Sequence, residues 1–264
     1  MTLTIAWERS VNSVKELVVA SDSRLRSSGY KDCCQKIFPL PRRDACIAFA
    51  GDTALAFPII MHIIQSIEIY KDARDGSLDI SDSVTKILNV VNQIQKSHRD
   101  GLRDEQLHER ISTRFFYGGY SWKFGQFKLY QILFDKNLGE FVSNSLLWRR
   151  PVLVIGDYAP KAAFLEKMNR EVPGAKNGLN YEPLKILNSL CRKADKSAPI
   201  GGAPQMLKIY RSGNCLPFAV RGRIDGEKRI ILFGRPLLDY EITHHPVIDP
   251  VTLRVRYPLQ NVKN

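Results

Sequence analysis

The order of strand-like and helix-like segments predicts an α+β fold: two stacked, mostly antiparallel sheets between helix pairs, a four-layer αββα sandwich. Three observations predict it. Strand patterns come in blocks of four, four (one weak) and three, separated by pairs of helical patterns, not in one-to-one alternation. Two sheets packed face to face with the helix pairs outside would bury both faces of each sheet. The length of 264 residues suits one large two-layer domain with a substantial core and is marginal for two.

Residues 2–8 and 16–21 read as the first two strands, and Asn12-Ser13 suggests a hairpin connection between them. Residues 34–40 and 46–50 supply two more short apolar runs, separated by the turn-like Pro41-Arg42-Arg43-Asp44. The period then changes. From Thr53 to about Lys71 apolar side chains crowd every helical face, as in a helix buried between a sheet and its neighbours. Asp52 or Thr53 can cap this helix, and Pro58 marks its first turn or kinks its entry. Residues 81–96 form a clearer amphipathic helix, with Val84, Ile87, Leu88, Val91 and Ile94 at helical spacing and capping groups over 79–83.

A polar connection is expected over 98–110. Strands return at 113–121 and 126–135, where aromatic and polar residues alternate, and at 152–155, a short buried-type run ending at Gly156. Helices follow over 159–171 and 181–193, joined by a loop containing Pro173-Gly174 and Asn177-Gly178. Strands at 204–210, 216–221 and 228–233 close the series. The expected domain therefore spans 1–235, and a proline-rich C-terminal extension, 236–264, packs on its surface.

Composition excludes several classes. The longest apolar stretch, around 57–64, is far too short to span a bilayer and contains His62, so no membrane segment is expected. The first residues lack a basic stretch followed by an apolar one, so they do not read as a signal peptide and a cytoplasmic location is expected. The five cysteines include the vicinal pair Cys33-Cys34 and no framework spacing, which argues against a secreted disulfide scaffold. That pair could be redox-sensitive or share a soft metal; reduced strand residues on opposite faces is the preferred reading. Net charge is +12, spread along the chain although dense at Arg149-Arg150 and over 221–235. No nucleic-acid motif accompanies it, so a solvated basic surface is expected in place of a nucleic-acid interface.

The strongest chemical signal lies at the start. Removal of Met1, which a small second residue permits, would give Thr2 a free α-amine beside its hydroxyl. The hydroxyl could then attack a carbonyl while the amine, with an ordinary pKa of about 7.7–8.0, accepts its proton. Three further segments make a pattern with Thr2-Leu3-Thr4-Ile5-Ala6-Trp7: Ala20-Ser21-Asp22-Ser23-Arg24, then Gln35-Lys36-Ile37-Phe38, then Ala48-Phe49-Ala50-Gly51-Asp52-Thr53-Ala54-Leu55-Ala56. Together they resemble the proteasome β-subunit family of N-terminal-nucleophile hydrolases, including its HslV-type members. The resemblance covers residues 2 to about 69 and the element order thereafter, apart from extra residues in the 9–15 hairpin.

The resemblance implies that Thr2 is the nucleophile, Asp22 and Lys36 the charged pair that tunes it, and Gly51 the glycine whose backbone N–H serves the oxyanion hole. An ammonium at Lys36 would favour deprotonation of the neighbouring amine and hydroxyl, with Asp22 orienting it. A glycine lets a backbone donor approach the oxyanion without a Cβ clash. Taken singly, Asp22 would be a turn residue, Lys36 a surface lysine and Gly51 a strand-to-helix junction.

The second half departs from the family. After Val152-Leu153-Val154-Ile155-Gly156, where the family places a supporting serine, this chain has Asp157, which accepts hydrogen bonds but donates none when ionised. Ser197 and Ile200 stand where proteasome β-subunits carry aspartate and serine; HslV-type enzymes resemble this Ser-x-x-Ile arrangement, and Asp195 is a nearby substitute. Elsewhere, Gly118-Gly119 and Gly201-Gly202 lack the Lys-Ser/Thr of a phosphate loop, and His244-His245 reads as an exposed pair in the tail.

The implied activity is a threonine-type peptidase or amidohydrolase acting on peptide or protein substrates, with no metal or organic cofactor. The resemblance further implies a homo-oligomeric ring, and any ATPase unfoldase would be a separate chain. The alternative is a catalytically inactive proteasome-like subunit serving as a scaffold or binding module, motivated by Asp157 and the altered 195–200 loop.

Overall fold

A computed structural model describes residues 2–12, 14–26, 29–97, 103–146, 151–174, 178–224 and 226–258. Met1, on whose removal a free Thr2 amine depends, lies outside the described residues, as do Ser13, Arg149-Arg150, Asn177 and part of the 98–110 connection. Strands β1 (Leu3–Val11), β2 (Val14–Ser21), β3 (Leu25–Arg26), β4 (Tyr30–Lys31), β5 (Ile37–Pro39) and β6 (Ala45–Ala50) precede helices α1 (Thr53–Ile69), α2 (Lys71–Arg74), α3 (Ile80–Ser97) and α4 (Arg103–Ser112). Then come β7 (Arg114–Ser121), β8 (Gln126–Asp135), β9 (Glu140–Leu146) and β10 (Leu153–Gly156), and helices α5 (Tyr158–Glu171) and α6 (Glu182–Lys193). Strands β11 (Gln205–Tyr210), β12 (Cys215–Ile224), β13 (Glu227–Leu232), β14 (Arg235–Pro236), β15 (Val247–Ile248) and β16 (Val255–Arg256) end the series.

The extra residues of the first hairpin extend its ladder instead of forming a loop: Arg9 pairs with Glu16, Ser10 with Lys15 and Val11 with Val14. Asn12, at φ 47, takes the left-handed conformation of the tight turn. Charge follows register, since Arg9 Nη1 lies 2.5 Å from Glu16 Oε1. The same carboxylate takes the buried ammonium of Lys208 at 2.8 Å.

Period-two alternation sorts side chains between layers. In β6, Ala45, Ile47 and Phe49 pack with α1 and α3, whereas Cys46, Ala48 and Ala50 meet Ala6, Leu17 and Val19 of the other large sheet. On the far side of that sheet Leu3, Ile5 and Trp7 pack with Phe164 of α5 and with Leu184 and Leu187 of α6. Asp52 caps α1 by accepting the Leu55 N–H at 2.9 Å, and Pro58 sits inside the helix, beyond its first turn.

The expected αββα sandwich of two sheets between helix pairs needs correction. The described residues form three sheets, of nine, five and two strands, with six helices, and strand outweighs helix at about 37% to 30%. The physical reasons lie in short segments. Leu25–Arg26 and Tyr30–Lys31 pair as a separate sheet, and Val247–Ile248 joins β12 in parallel with Ile248 fully buried. α4 occupies most of the expected polar connection. Its good helix formers (Glu, Gln, Leu, Arg) carry only Leu107 and Ile111 as a thin apolar pair, too little for a periodicity signal. For β9 the sequence pattern marks no bounds.

Asp79 ties α3 to the turn after β7. Its carboxylate accepts the Ser81 N–H at 2.8 Å, the Ser121 hydroxyl at 2.9 Å and the Lys123 N–H at 3.1 Å. Burial by itself would raise its pKa, but the hydrogen bonds from Ser81, Lys123 and Ser121 hold it below the ordinary carboxylate value. A folded pKa below the unfolded one means stability that is present above about pH 4 and lost as pH falls through the folded value. Asp79→Asn should therefore cost about 1–3 kcal/mol at pH 7, and the gap to wild type should shrink at pH 3. Urea unfolding at the two pH values checks this; an equal gap at both would show that the charge is immaterial.

Candidate functional site

Thr2 enters β1 from a buried position, 1% exposed. Its N–H donates to Asp157 Oδ2 at 2.7 Å, and its carbonyl accepts the Asp157 N–H at 3.2 Å. Asp157 stands at the N-cap of α5 but makes no capping bond; its carboxylate turns to Thr2 instead. Gly156 makes the approach feasible. It pairs with Leu3 at φ 142, and a Cβ there would lie 2.2 Å from the Thr2 carbonyl oxygen. Any other residue would push the two strands apart.

Asp22, fully buried at the end of β2, is the hub. Both carboxylate oxygens lie 3.0 Å from Lys36 Nζ. Oδ1 also accepts the Leu3 N–H at 3.0 Å, and Oδ2 accepts the N–H groups of Arg24 at 3.0 Å and Gly201 at 3.3 Å. Lys36 is 1% exposed, so neither charge has water to fall back on. The backbone closes around the pair: Asp22 N–H donates to the Leu3 carbonyl at 3.3 Å, and Phe49 N–H to that of Lys36 at 3.1 Å.

Gly51 joins β6 to α1 at φ 120, where a Cβ would lie 2.4 Å from the Ser112 carbonyl oxygen. It reaches this end of the sheets through Phe49, whose carbonyl accepts the Thr4 hydroxyl at 3.1 Å. The structure thus joins Asp22 to Lys36, and Thr2 to Asp157, with Leu3 linking the two pairs. Asp195 stands apart. It is exposed, and its carboxylate accepts the Ser197 N–H and hydroxyl at 2.8 and 2.7 Å, which holds its pKa below the ordinary value. Ile200 is buried.

One polar residue of this region, Gln205, escapes a reading by motif. Gln205 donates to the Asp22 carbonyl at 3.1 Å and the Cys34 carbonyl at 2.6 Å, while its Oε1 accepts the Lys36 N–H at 2.9 Å. Ser21 and Thr4 share a 2.8 Å hydroxyl contact. The available signal was a glutamine opening a mostly apolar strand, since a buried amide needs several partners. Nearby thiols are poor nucleophiles: burial pushes Cys34 up despite Lys36, and pushes Cys191 well up.

A depression of about 670 Å³ lies elsewhere. It is lined by Arg43, Arg74, Trp122 and Arg211 among others, at the opposite end of β6 from Gly51. Among the described residues no cluster of three or more His, Cys, Asp or Glu side chains could hold a metal ion, and no helix is long and apolar enough to cross a membrane.

No family model matches the chain, and no curated protein matches it. Among solved structures it is similar to a Gly-1 mutant of Anbu from Hyphomicrobium sp. strain MC1, with a TM-score of 0.56 and 15% identity over 88% of this chain and 87% of that one. This is a likeness of fold alone, to a proteasome-like protein. The resemblance to the proteasome β-subunit and HslV-type family is corrected accordingly: its segments are short, no family model carries them, and 15% identity does not establish membership.

Breaking a buried ion pair from one side leaves an uncompensated charge, at a cost of about 3–5 kcal/mol, whereas removing both charges costs less. Lys36→Met should therefore lose about that amount, and Lys36→Met with Asp22→Asn should recover part of it, as read by urea unfolding at pH 7. A double variant no more stable than the single one would show that the pair is not electrostatically coupled.

Proposed function

We propose that this chain hydrolyses peptide or related amide bonds, with Thr2 as nucleophile once Met1 has been removed. The observation that carries the reading is the buried Asp22–Lys36 pair, whose Asp22 carboxylate accepts the N–H of Leu3, the residue after Thr2. A buried ion pair adds little stability over apolar packing, so a desolvated lysine at this place favours a role in the site.

In this reading the Thr2 hydroxyl attacks the substrate carbonyl, and its proton passes to the Thr2 α-amine. The Gly51 N–H stabilises the oxyanion. Collapse expels the amine half of the substrate, protonated from the Thr2 ammonium, and leaves an ester on Thr2 Oγ1. Water, deprotonated by the same amine, attacks that ester and frees the acid. Lys36, held by Asp22, supplies positive charge beside the reacting hydroxyl, and Asp157 fixes the amine. Self-association into a ring that confines the sites is part of the proposal, with any ATPase partner a separate chain.

A second reading, a catalytically inactive subunit acting as a scaffold or binding module, is favoured by one observation: Asp157 lies 2.7 Å from the Thr2 nitrogen. A carboxylate there favours the protonated amine, which is no base.

Intact mass of the natively expressed protein comes first, with loss of Met1 expected. Retained Met1 would sink the nucleophile reading. On a fluorogenic peptide amide, Thr2→Ala should lower kcat/KM by about three orders of magnitude or more. Asp157→Ser should move the acid limb of the rate profile to lower pH, because the amine would lose its counter-charge. Equal hydrolysis by wild type and Thr2→Ala would assign any activity seen to something else.

A further inference from the structure

We propose that Asp32, in the turn that follows the two-stranded sheet, is a positioning residue for the Thr2 centre: through Arg24 it clips the 195–201 loop so that the Gly201 N–H meets Asp22. The inference rests on the nucleophile reading and adds to it a part that neither the motif residues nor the comparisons supply.

Arg24 works in two directions. Its backbone N–H donates to Asp22 Oδ2 at 3.0 Å. Its guanidinium, 5% exposed, forms a fork with Asp32: Nε to Oδ1 at 2.7 Å and Nη2 to Oδ2 at 2.9 Å. The remaining arm, Nη1, donates to the carbonyls of Asp195 and Ala198. Tyr30 covers the guanidinium with its ring centroid 4.6 Å from Cζ. A bidentate charged pair of this kind fixes orientation as well as distance.

The loop is shaped to receive it. Gly201 donates to the Asp22 oxygen that Arg24 also uses, and its carbonyl accepts the Ser23 N–H at 3.0 Å. A Cβ on Gly201 would lie 2.4 Å from Arg24 Cζ and Nε, and one on Gly202, at φ 73, would lie 2.9 Å from the Asp32 carbonyl oxygen. The glycine pair that makes no phosphate loop is thus the floor beneath the Arg24–Asp32 pair.

Charge bookkeeping gives Asp32 a further role. Asp22 is already balanced by Lys36. A second cation two residues along the chain would compete with Lys36 for the same carboxylate unless it had its own. Asp32 supplies that counter-charge and leaves Asp22 to Lys36. A shift of the Gly201 loop or of Lys36 by about 1 Å would be enough to cost turnover roughly a hundredfold without altering the binding surface.

The test uses the full chain as wild type, Asp32→Asn, Asp32→Glu and Gly201→Ala. Amide hydrogen exchange at Gly201 reports the clip, kcat and KM on a fluorogenic peptide amide report the site, and melting reports the fold. Asp32→Asn should speed Gly201 exchange about tenfold or more and lower kcat about tenfold, with KM within about twofold and a melting temperature that falls, because Arg24 loses its partner, but stays above the assay temperature. Asp32→Glu, which keeps the charge, should recover most of kcat. Gly201→Ala should reproduce the loss of kcat if it folds; Asp32→Asn does not depend on that outcome. Unchanged Gly201 exchange in Asp32→Asn overturns the proposal, as does a fall in kcat that only tracks lost folded protein. Faster exchange in a chain whose wild type hydrolyses nothing would leave the clip standing and overturn the nucleophile reading.

Discussion

The Asp22–Lys36 pair is the constraint on which this end of the molecule depends. Two opposite charges without water are tolerable only when every donor and acceptor around them is filled. The donors come from far apart in sequence: Leu3, Arg24, Lys36 and Gly201. The first two strands, the approach to β5 and the loop before β11 must therefore converge for the charge to be stable at all. Register enforces this. Ser21 pairs with Thr4 on one side and Gln205 on the other, so a one-residue slip of β2 would misplace Asp22 and turn every apolar side chain of the strand to the wrong layer.

The same alternation explains why the polar centre can sit against a dry core. Ala6, Ala48 and Ala50 join larger side chains such as Phe116, Leu129 and Leu207 in the layer between the two large sheets, while Ile47, Phe49 and Trp7 face the helices. Apart from the buried Glu16–Lys208 pair within β2 and β11, the polar groups of this centre gather where strands end. There Gly51 and Gly156 allow backbones to come closer than a Cβ would permit.

Much of this was legible in the sequence, for reasons that also mark where legibility stops. Long, strongly patterned elements such as α3 show themselves because Val84, Ile87 and Val91 repeat at the helical period and are all buried. Asp22 and Lys36 were brought together only by the resemblance of their segments to a known family; taken singly, a turn aspartate and a surface lysine carry no such signal. The two-stranded third sheet, α4 and β15 could not: two-residue strands and a helix with a single thin apolar pair carry no periodicity to read. The layer count expected from block order failed for that reason. Gln205 and Asp32 escaped notice, and Arg24 stood in a quoted segment without a role, because their partners lie in other segments and a polar residue declares its role only once those partners are known.

The charges around Thr2 are worth counting as a set. Lys36 has Asp22, both buried, and Arg24 has Asp32, a close pair in which Asp32 is partly exposed. A free amine at Thr2 would have Asp157, so every cation of the site would own a carboxylate. Such a set is stable because nothing is left unbalanced, and for the same reason it resists the first chemical step. Losing positive charge at the amine would strand Asp157, while a developing oxyanion would find dipoles but no spare cation. A serine in place of Asp157 would relax the first difficulty at the expense of the hydrogen bond that now anchors Thr2. The identity of residue 157 therefore trades a well-held resting state against ease of proton transfer, and it is the position at which the hydrolase and scaffold readings part.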